Sequence, residues 1–171
     1  MSGHRNDAVE IRIAPLTEFA HWIPDIAQWL HTQWRTLYPG GYTPADVEAA
    51  LRTRLDTRQI PLALVAVAGN TVVGIVSLKI SDMDTRPGLT PWLAGLYVVP
   101  ARRRGGIGRR LVQAATAKAM ESGATKLYLY TPAAEPFYAT LGWQVLERTS
   151  YQEIPVTVMY YSLQPDAFTH G

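Results

Sequence analysis

The sequence predicts one α+β domain in a three-layer α/β arrangement. Apolar residues recur at helical spacing in the first third, short apolar runs bounded by turn residues fill the middle, and helical and strand-like segments alternate in the last part. With 171 residues and 47% hydrophobic content, the chain can bury one core without covalent help. We expect a single domain over residues 1–171 with its core at about 9–163.

The first third predicts a strand followed by a helix. Val9, Ile11 and Ile13 alternate with polar or small residues up to Pro15, which is typical of a half-buried strand. Apolar residues then recur at helical spacing, at Trp22, Ile26, Trp29 or Leu30, Trp34 and Leu37. The Pro- and Gly-containing turn at 38–41 is expected to end this helix.

A second helix is predicted by its N-terminal signals. Thr43 is a suitable N-cap, Pro44 suits the first helical position, and Asp46 can complete a capping box. The apolar face that follows consists of Val47, Leu51 and Leu55.

The middle of the chain predicts three strands. These apolar runs span 62–68, 71–78 and 92–99. Gly69-Asn70 joins the first two as a tight hairpin, and a polar loop at 81–90 precedes the third. Pro100 then stops the third run.

The last part predicts two helices and three strands. They are a helix from Ile107 to about Gly123, a strand over 126–130, a short helix over 132–141, and strands over 143–147 and 156–163. The complete predicted order is therefore β-α-α-β-β-β-α-β-α-β-β.

The positive charge of the chain is concentrated in one segment. The 16 Lys and Arg residues against 14 Asp and Glu give a net charge of +2. Five arginines lie within residues 102–110, and removing them leaves 11 basic against 14 acidic residues, a net charge of −3. This distribution predicts a local anion site rather than a basic surface.

Composition excludes several kinds of chemistry. The chain has no cysteine, which excludes disulfides, thiolate metal sites and thiol nucleophiles. The four histidines, at positions 4, 21, 31 and 170, have no paired spacing, so no metal site is predicted. The polar N-terminus is unlike a secretion signal and no window approaches a membrane span, so we expect a cytoplasmic protein.

The arginine segment also contains glycines, at a predicted junction between a strand and a helix. Gly105, Gly106 and Gly108 allow the backbone to curl unpaired N–H groups around an anion at the helix N-terminus. The arginines add charge-assisted hydrogen bonds to phosphate oxygens. The chain lacks the Gly-Lys pair of a Walker loop, and Leu111 stands where a Rossmann fingerprint needs glycine. The segment therefore predicts a phosphate site of another kind.

Two motifs stand about 30 residues apart. The first is Arg103-x-x-Gly106-x-Gly108, which follows an apolar strand and opens a helix. The second is Ala134-x-x-Phe137-Tyr138-x-x-Leu141-Gly142-Trp143, on a short predicted helix. Together they resemble the two signatures of the GNAT superfamily of acetyl-CoA-dependent N-acetyltransferases, and the order of elements is similar to that family across most of the chain.

The resemblance implies a mixed, mostly antiparallel central sheet that is splayed where acetyl-CoA binds. The strand segment Leu96, Tyr97 and Val98 would contact the pantetheine arm. The pyrophosphate would lie on the turn formed by Arg103, Arg104, Gly105, Gly106, Ile107, Gly108 and Arg109, while Arg102 and Arg110 are expected to be solvated. Further cofactor contacts are implied for Thr131, Ala134 and Phe137.

The resemblance also implies direct transfer of the acetyl group to an amine in a ternary complex. A backbone N–H of the splayed strand would polarise the thioester carbonyl. Tyr138 would be the general acid that protonates the departing thiolate of coenzyme A, since a phenol with a pKa of ~10 is protonated at neutral pH.

Two positions depart from the family pattern. Many members carry a glutamate before the Leu-Tyr-Val segment that acts as the base for the amine, whereas this chain has Ala94 and Gly95 there. Asp82, Asp84, a water chain or an acceptor amine of low pKa are possible substitutes. Thr131 stands where many members have an asparagine that contacts the pantetheine arm.

The acceptor is the least determined part of the prediction. Trp34, Tyr38, Asp82 and Asp84 are candidate substrate-binding residues, although Trp22, Trp29, Trp34 and Tyr38 are most simply core residues and His31 is most simply capped by a neighbour. Together with Glu135, the two aspartates favour a cationic small molecule. Small amines, aminoglycosides, amino acids, peptide N-termini and protein lysines remain open.

Two other functions stay open at this point. One is a non-catalytic acetyl-CoA-binding sensor or scaffold, which the absent glutamate favours. The other is a nucleic-acid-binding module, which the net acidic remainder of the chain disfavours. We expect no nucleic-acid, membrane or metal partner, and we expect a homodimer through the C-terminal strands as a common arrangement in the family.

Overall fold

The computed structural model describes residues 9–163 and has the predicted order of helices and strands. The strands are β1 (Ile11–Pro15), β2 (Leu62–Ala68), β3 (Thr71–Lys79), β4 (Trp92–Val98), β5 (Lys126–Thr131), β6 (Gln144–Tyr151) and β7 (Ile154–Ser162). The helices are α1 (Ile23–Trp34), α2 (Pro44–Arg52), α3 (Ile107–Glu121) and α4 (Glu135–Thr140), with 3-10 turns at Leu16–Trp22 and Pro100–Arg102. No helix within this described part is long and apolar enough to cross a membrane.

The seven strands form one open sheet in the order β1-β2-β3-β4-β5-β7-β6. All neighbouring strands are antiparallel except β4 and β5, which are parallel. This arrangement confirms the predicted mixed, mostly antiparallel sheet.

Helices cover both faces of the sheet. Leu111 and Ala115 of α3 are fully buried in the core on one face, while Ile26 of α1 and Leu51 of α2 are buried in the core on the other. Because both faces are covered, every residue of β2 is buried. The three-layer prediction is confirmed.

The first helix differs from its prediction at both ends. It begins at Ile23, after the 3-10 turn, and ends at Trp34, so that Leu37 is buried beyond the helix. Its buried stripe consists of Ile23, Ile26, Ala27 and Leu30. The predicted core tryptophans Trp22, Trp29 and Trp34, together with Tyr38, are only partly buried and pack along the rim of this core. The narrower aliphatic side chains occupy the centre of the helix–sheet interface, which leaves the wide aromatic rings at its edges.

The sequence predicts the start of a helix or strand well where the residues at that start are typical capping or turn residues. Thr43 Oγ1 accepts the N–H of Asp46, and Asp46 Oδ2 accepts the N–H of Thr43 at 2.8 Å, so the predicted capping box at α2 is confirmed. By contrast, β6 (Gln144–Tyr151) ends four residues beyond the predicted end at 147, and β7 begins two residues before the predicted start at 156, at Ile154. Gln152 and Glu153 form the intervening turn with φ of 51° and 65°. Neither residue is a typical hairpin turn residue, which is why the sequence does not reveal this turn.

Candidate active site

The sheet opens between β4 and β5. Their register contains one pair, Trp92 with Tyr128, and the Tyr128 N–H donates to the Pro91 carbonyl at 3.0 Å. Beyond this pair, residues 93–98 of β4 have no partner on β5. An edge of backbone N–H and C=O groups is therefore exposed inside the fold, where it can bind an extended ligand.

A bulge in β4 lies at the start of this opening. Ser77 of β3 pairs with Ala94 and Ile75 pairs with Tyr97, so two residues of β4 lie opposite the single residue between them on β3. Gly95 has a φ of +61°, a conformation that costs a residue with a Cβ roughly 1–2 kcal/mol. The bulge gives a physical reason for glycine near the position where the family pattern has glutamate, and it changes the direction of the strand's N–H groups at the opening.

A cavity of about 600 Å³ occupies the opening. It is lined by all the predicted site residues except Gly105 and Asp84: Trp34, Tyr38, Asp82, Leu96, Tyr97, Val98, Arg103, Arg104, Gly106, Ile107, Gly108, Arg109, Thr131, Ala134, Phe137 and Tyr138. We call the part walled by residues 102–109 and α4 the donor end. We call the part walled by α1, α2 and the residues that follow β3 the acceptor end.

The donor end contains the N-terminus of α3. Gly106 is its N-cap residue, with a φ of +82°, and no side chain caps the helix. The preceding Arg104 is also left-handed, with a φ of +67°. Uncapped N–H groups and the partial positive charge of the helix therefore face the same space as the cavity-lining arginines. This arrangement suits an anion, as the sequence predicts.

The arginines of this segment have distinct positions. Arg103 Nε donates to the Val98 carbonyl at 2.8 Å, and its guanidinium lies 5.3 Å from the centre of the Tyr97 ring. Arg110 instead donates from Nη1 to the Ile11 carbonyl at 2.6 Å and does not line the cavity. Arg102 is exposed, as expected, but it does line the cavity. Four arginines therefore surround the donor end.

Tyr138 lines the cavity from α4. Its ring packs edge-on against Phe137 and Trp143, with centroid distances of 5.0 and 6.0 Å. Tyr138 is buried apart from the 7% of its surface that stays exposed, and it lines the cavity. Burial raises the pKa of the Tyr138 phenol well above its usual value. The hydroxyl therefore stays protonated throughout the physiological pH range.

Thr131 forms a hydrogen bond to the backbone directly before α4. Its Oγ1 accepts the N–H of Ala134 at 3.0 Å, which fixes the backbone just before α4 begins. Thr131 is buried and lines the cavity, so its hydroxyl proton can still be donated to a ligand there.

The acceptor end contains a cation that the sequence does not single out. Arg54 lies just beyond α2 and lines the cavity, and its Nη1 donates to Ser77 Oγ at 2.9 Å. Burial lowers the pKa of the Arg54 guanidinium, an effect that the nearby Asp82 charge partly opposes. No carboxylate in residues 9–163 lies within salt-bridge distance of Arg54. Only tertiary packing distinguishes Arg54 from the other arginines of the α2 region, so the sequence offered no signal for it.

The acidic residues expected near the cavity are mostly elsewhere or already paired. Asp82 lines the cavity, but its Oδ1 accepts from Lys79 Nζ at 2.7 Å. Asp84 is exposed and is not a lining residue. Glu135 accepts from Arg148 at 2.6 Å and from Thr157 at 3.0 Å, also away from the cavity lining. The expected preference for a cationic acceptor therefore loses its electrostatic basis, because no free carboxylate of the described residues faces this space.

Aromatic rings form the remaining walls of the acceptor end. Tyr38 stacks on Tyr42 at a centroid distance of 4.8 Å, and burial raises the pKa of Tyr38 to about 12. Trp34 packs edge-on against Tyr97 at 6.4 Å. His31 Nε2 lies 2.8 Å from the Tyr42 carbonyl and does not line the cavity. The interpretation of His31 as a capped structural residue is confirmed.

Two kinds of comparison with known proteins agree with this geometry. The chain matches the acetyltransferase (GNAT) family over residues 23–143. Its fold is similar to an aminoglycoside 6'-N-acetyltransferase crystallised with coenzyme A, at 19% identity over 90% of this chain and 98% of that chain, with a TM-score of 0.67. No match was found among curated proteins.

Other solved structures show the same fold. An aminoglycoside 6'-N-acetyltransferase from Enterococcus faecium is 19% identical over 90% of this chain and 98% of that chain, with a TM-score of 0.66. The PaiA N-acetyltransferase from Thermoplasma acidophilum, in complex with coenzyme A, is 21% identical over 90% of this chain and 99% of that chain, with a TM-score of 0.61.

Proposed function

Because the chain belongs to the GNAT family of acetyltransferases, we propose that it transfers the acetyl group of acetyl-CoA directly to a primary amine in a ternary complex. One observation carries this proposal. A single cavity joins an uncapped, arginine-rich helix N-terminus to an unpaired strand edge and to a protonated tyrosine. We place this activity in the cytoplasm.

The residues present fit the two ends of the cofactor. The donor end offers uncapped N–H groups and four arginines, which suit the pyrophosphate and 3'-phosphate. The free edge of β4 at residues 96–98 offers peptide groups to the amides of the pantetheine arm. Acetyl-CoA supplies the acetyl group as an activated thioester.

The chain's own groups then act on the reaction. N–H groups of β4 at the bulge donate to the thioester oxygen, on which negative charge develops as the amine attacks. Tyr138 gives its proton to the sulfur as the C–S bond breaks, and solvent restores that proton afterwards. With no cysteine in the chain, no thiol is available for an acyl-enzyme, which supports direct transfer.

The acceptor nitrogen must lose two protons. One leaves its ammonium form before attack, and one leaves as the C–N bond forms. Asp82 is the carboxylate of the described residues that lines the cavity, so we assign it, directly or through a water that it orients, as the first proton acceptor. The products are the acetamide and coenzyme A, with one net proton released to solvent.

A thiol-release assay over a panel of primary amines tests this function. Because the chain has no cysteine, every thiol detected in the assay comes from coenzyme A. We expect amine-dependent release, together with calorimetric binding of coenzyme A. Binding without release from any amine would support the sensor alternative, and affinity for an oligonucleotide without affinity for coenzyme A would support the nucleic-acid alternative.

We also propose a homodimer through the C-terminal strands. The strand at this edge of the sheet is β6, where Val145 is 38% exposed and Leu146 is 44% exposed. Sedimentation equilibrium should show a dimer that the double variant Val145→Lys, Leu146→Lys reduces to a monomer. A monomer of the unmodified chain would refute the dimer and leave the catalytic proposal unaffected.

A further inference from the structure

The electrostatics of the acceptor end depend on one residue. Lys79 and Asp82 form an ion pair and compensate each other's charge. Arg54 is left with no carboxylate partner among the described residues, so this end of the cavity has one uncompensated positive charge. A ligand with one negative charge would neutralise this end of the cavity.

The guanidinium of Arg54 also has unused hydrogen-bonding capacity. A guanidinium has five N–H donors in a planar fork that matches a carboxylate. The structure gives Arg54 one side-chain hydrogen bond within residues 9–163, from Nη1 to Ser77 Oγ. A partly buried cation with unused donors is costly unless a counter-ion reaches it. The cavity is the space from which such a counter-ion can come.

The position of Arg54 relates this anion site to the reacting centre. Ser77, which holds Arg54, pairs across the sheet with Ala94, directly before the Gly95 bulge. The proposed thioester site lies at the same bulge. An anionic group bound by Arg54 and an amine that attacks at the bulge can therefore belong to one small molecule with the two groups close together.

We propose, on the basis of the function above, that the acceptor is an amino acid whose carboxylate binds Arg54 while its α-amino group is acetylated. The aromatic walls formed by Trp34, Tyr38 and Tyr42 suit an apolar or aromatic side chain on that amino acid. A polycationic acceptor such as an aminoglycoside would place like charge beside Arg54, which is unfavourable in a partly desolvated site. The reaction product is an N-acetyl amino acid.

Matched acceptors test the carboxylate directly. The full chain is assayed for thiol release at saturating acetyl-CoA with each proteinogenic amino acid, and the best acceptors are compared with their α-amides and decarboxylated amines. An amide lacks the carboxylate but offers more free amine at neutral pH, so a preference for the acid cannot come from amine basicity. We expect kcat/KM for the acid to exceed that for the amide by on the order of 10²-fold, as for a charge-assisted bidentate pair.

Variants of Arg54 assign that preference to one side chain. Arg54→Gln should lower kcat/KM for amino acids by on the order of 10²-fold and bring the ratio of acid to amide close to ~1. Arg54→Lys keeps the charge without the fork, so we expect an intermediate ratio. Arg58→Gln is the matched control, because Arg58 is exposed nearby and does not line the cavity. Calorimetric affinity for coenzyme A should be the same in all four proteins, which shows that they are folded.

The possible results separate the two proposals. Equal or faster acetylation of the amides and decarboxylated amines would overturn the carboxylate site while leaving the acetyltransferase function standing. An unchanged ratio of acid to amide in Arg54→Gln would do the same. If no amine releases thiol, the proposed function fails, and calorimetry of the best-bound amino acid in the presence of coenzyme A then decides the carboxylate site. Binding that Arg54→Gln abolishes would sustain the site, and no binding would refute it.

Discussion

The donor and acceptor ends of the cavity are built in opposite ways. At the donor end, four exposed arginines come from one stretch, residues 102–109, and lie around an uncapped helix N-terminus. At the acceptor end, one desolvated arginine is held by a serine on a different strand. The first end distributes its positive charge over many groups, whereas the second depends on a single group.

This difference affects how each end should respond to substitution. Water and salt screen exposed charges, and neighbouring exposed charges can substitute for one another. Each of them therefore contributes little to the binding free energy. A desolvated charge acts through a lower dielectric and has no substitute, so its removal is costly. The donor end should therefore tolerate single changes that the acceptor end does not.

The largest expected effect comes from Tyr138, which belongs to neither group of arginines. Tyr138→Phe removes the proposed acid and retains the packing of the ring, so kcat should fall roughly 10²- to 10³-fold, within the range of general acid catalysis. Affinity for coenzyme A should change much less. Steady-state kinetics and calorimetry measure the two quantities, and an unchanged kcat would remove Tyr138 from the mechanism.

A smaller effect is expected from single arginines at the donor end. Arg104→Gln should raise KM for acetyl-CoA about fivefold, corresponding to ~1 kcal/mol for one screened charge. Arg110→Gln is the control, because Arg110 donates to the Ile11 carbonyl away from the cavity and should leave KM unchanged. A loss in Arg104→Gln as large as that in Arg54→Gln would contradict the difference drawn between the two ends.

Thr43→Ala tests how much the capping box of α2 stabilises the helix that walls the acceptor end. It removes the capping box of α2, the helix that precedes Arg54, and should lower the free energy of unfolding by ~1 kcal/mol. Thermal unfolding should show a Tm lower by about 2–4 °C. The matched control is Thr57→Ala, an exposed position outside the helix where we expect no shift. Equal Tm values for the two variants would show that the capping box at Thr43 does not stabilise the protein.

The pH dependence should show the smallest effect. Tyr138 acts in its protonated form, and burial raises the pKa of its hydroxyl, so its protonated fraction falls only above the usual tyrosine range. An unshifted phenol would be half ionised near pH ~10 and would halve kcat there. We expect kcat with a saturating acceptor to decline by less than twofold between pH 8 and pH 10 on account of this group. A decline centred at or below pH 9, absent from Tyr138→Phe, would contradict the raised pKa.

The parts of the site that the sequence predicts are those made by neighbouring residues. The turn around Gly106 and the segment from Ala134 to Tyr138 are contiguous motifs whose residue types specify their own geometry, and both line the cavity. Within the first of them, Gly105 does not line the cavity. Local conformational preference is sufficient for such elements.

The sequence is less informative where position depends on packing. Asp84 and Glu135 are close in sequence to cavity residues, yet one is exposed and the other is paired with Arg148. Arg54 resembles its neighbours Arg52 and Arg58 in sequence, and only the sheet beneath it makes it different. Proximity along the chain does not determine which charges are compensated in space.

The sequence by itself determined the order of the elements, the capped second helix and the anion-binding turn, because each is specified by short-range periodicity, capping or glycine conformation. The tertiary structure decided the break between β4 and β5 and the identity of the charges that remain uncompensated. Strand pairing and desolvation depend on groups far apart in the chain, so the unpaired strand edge and the cation at Arg54 exist only once the sheet and both helical layers have assembled.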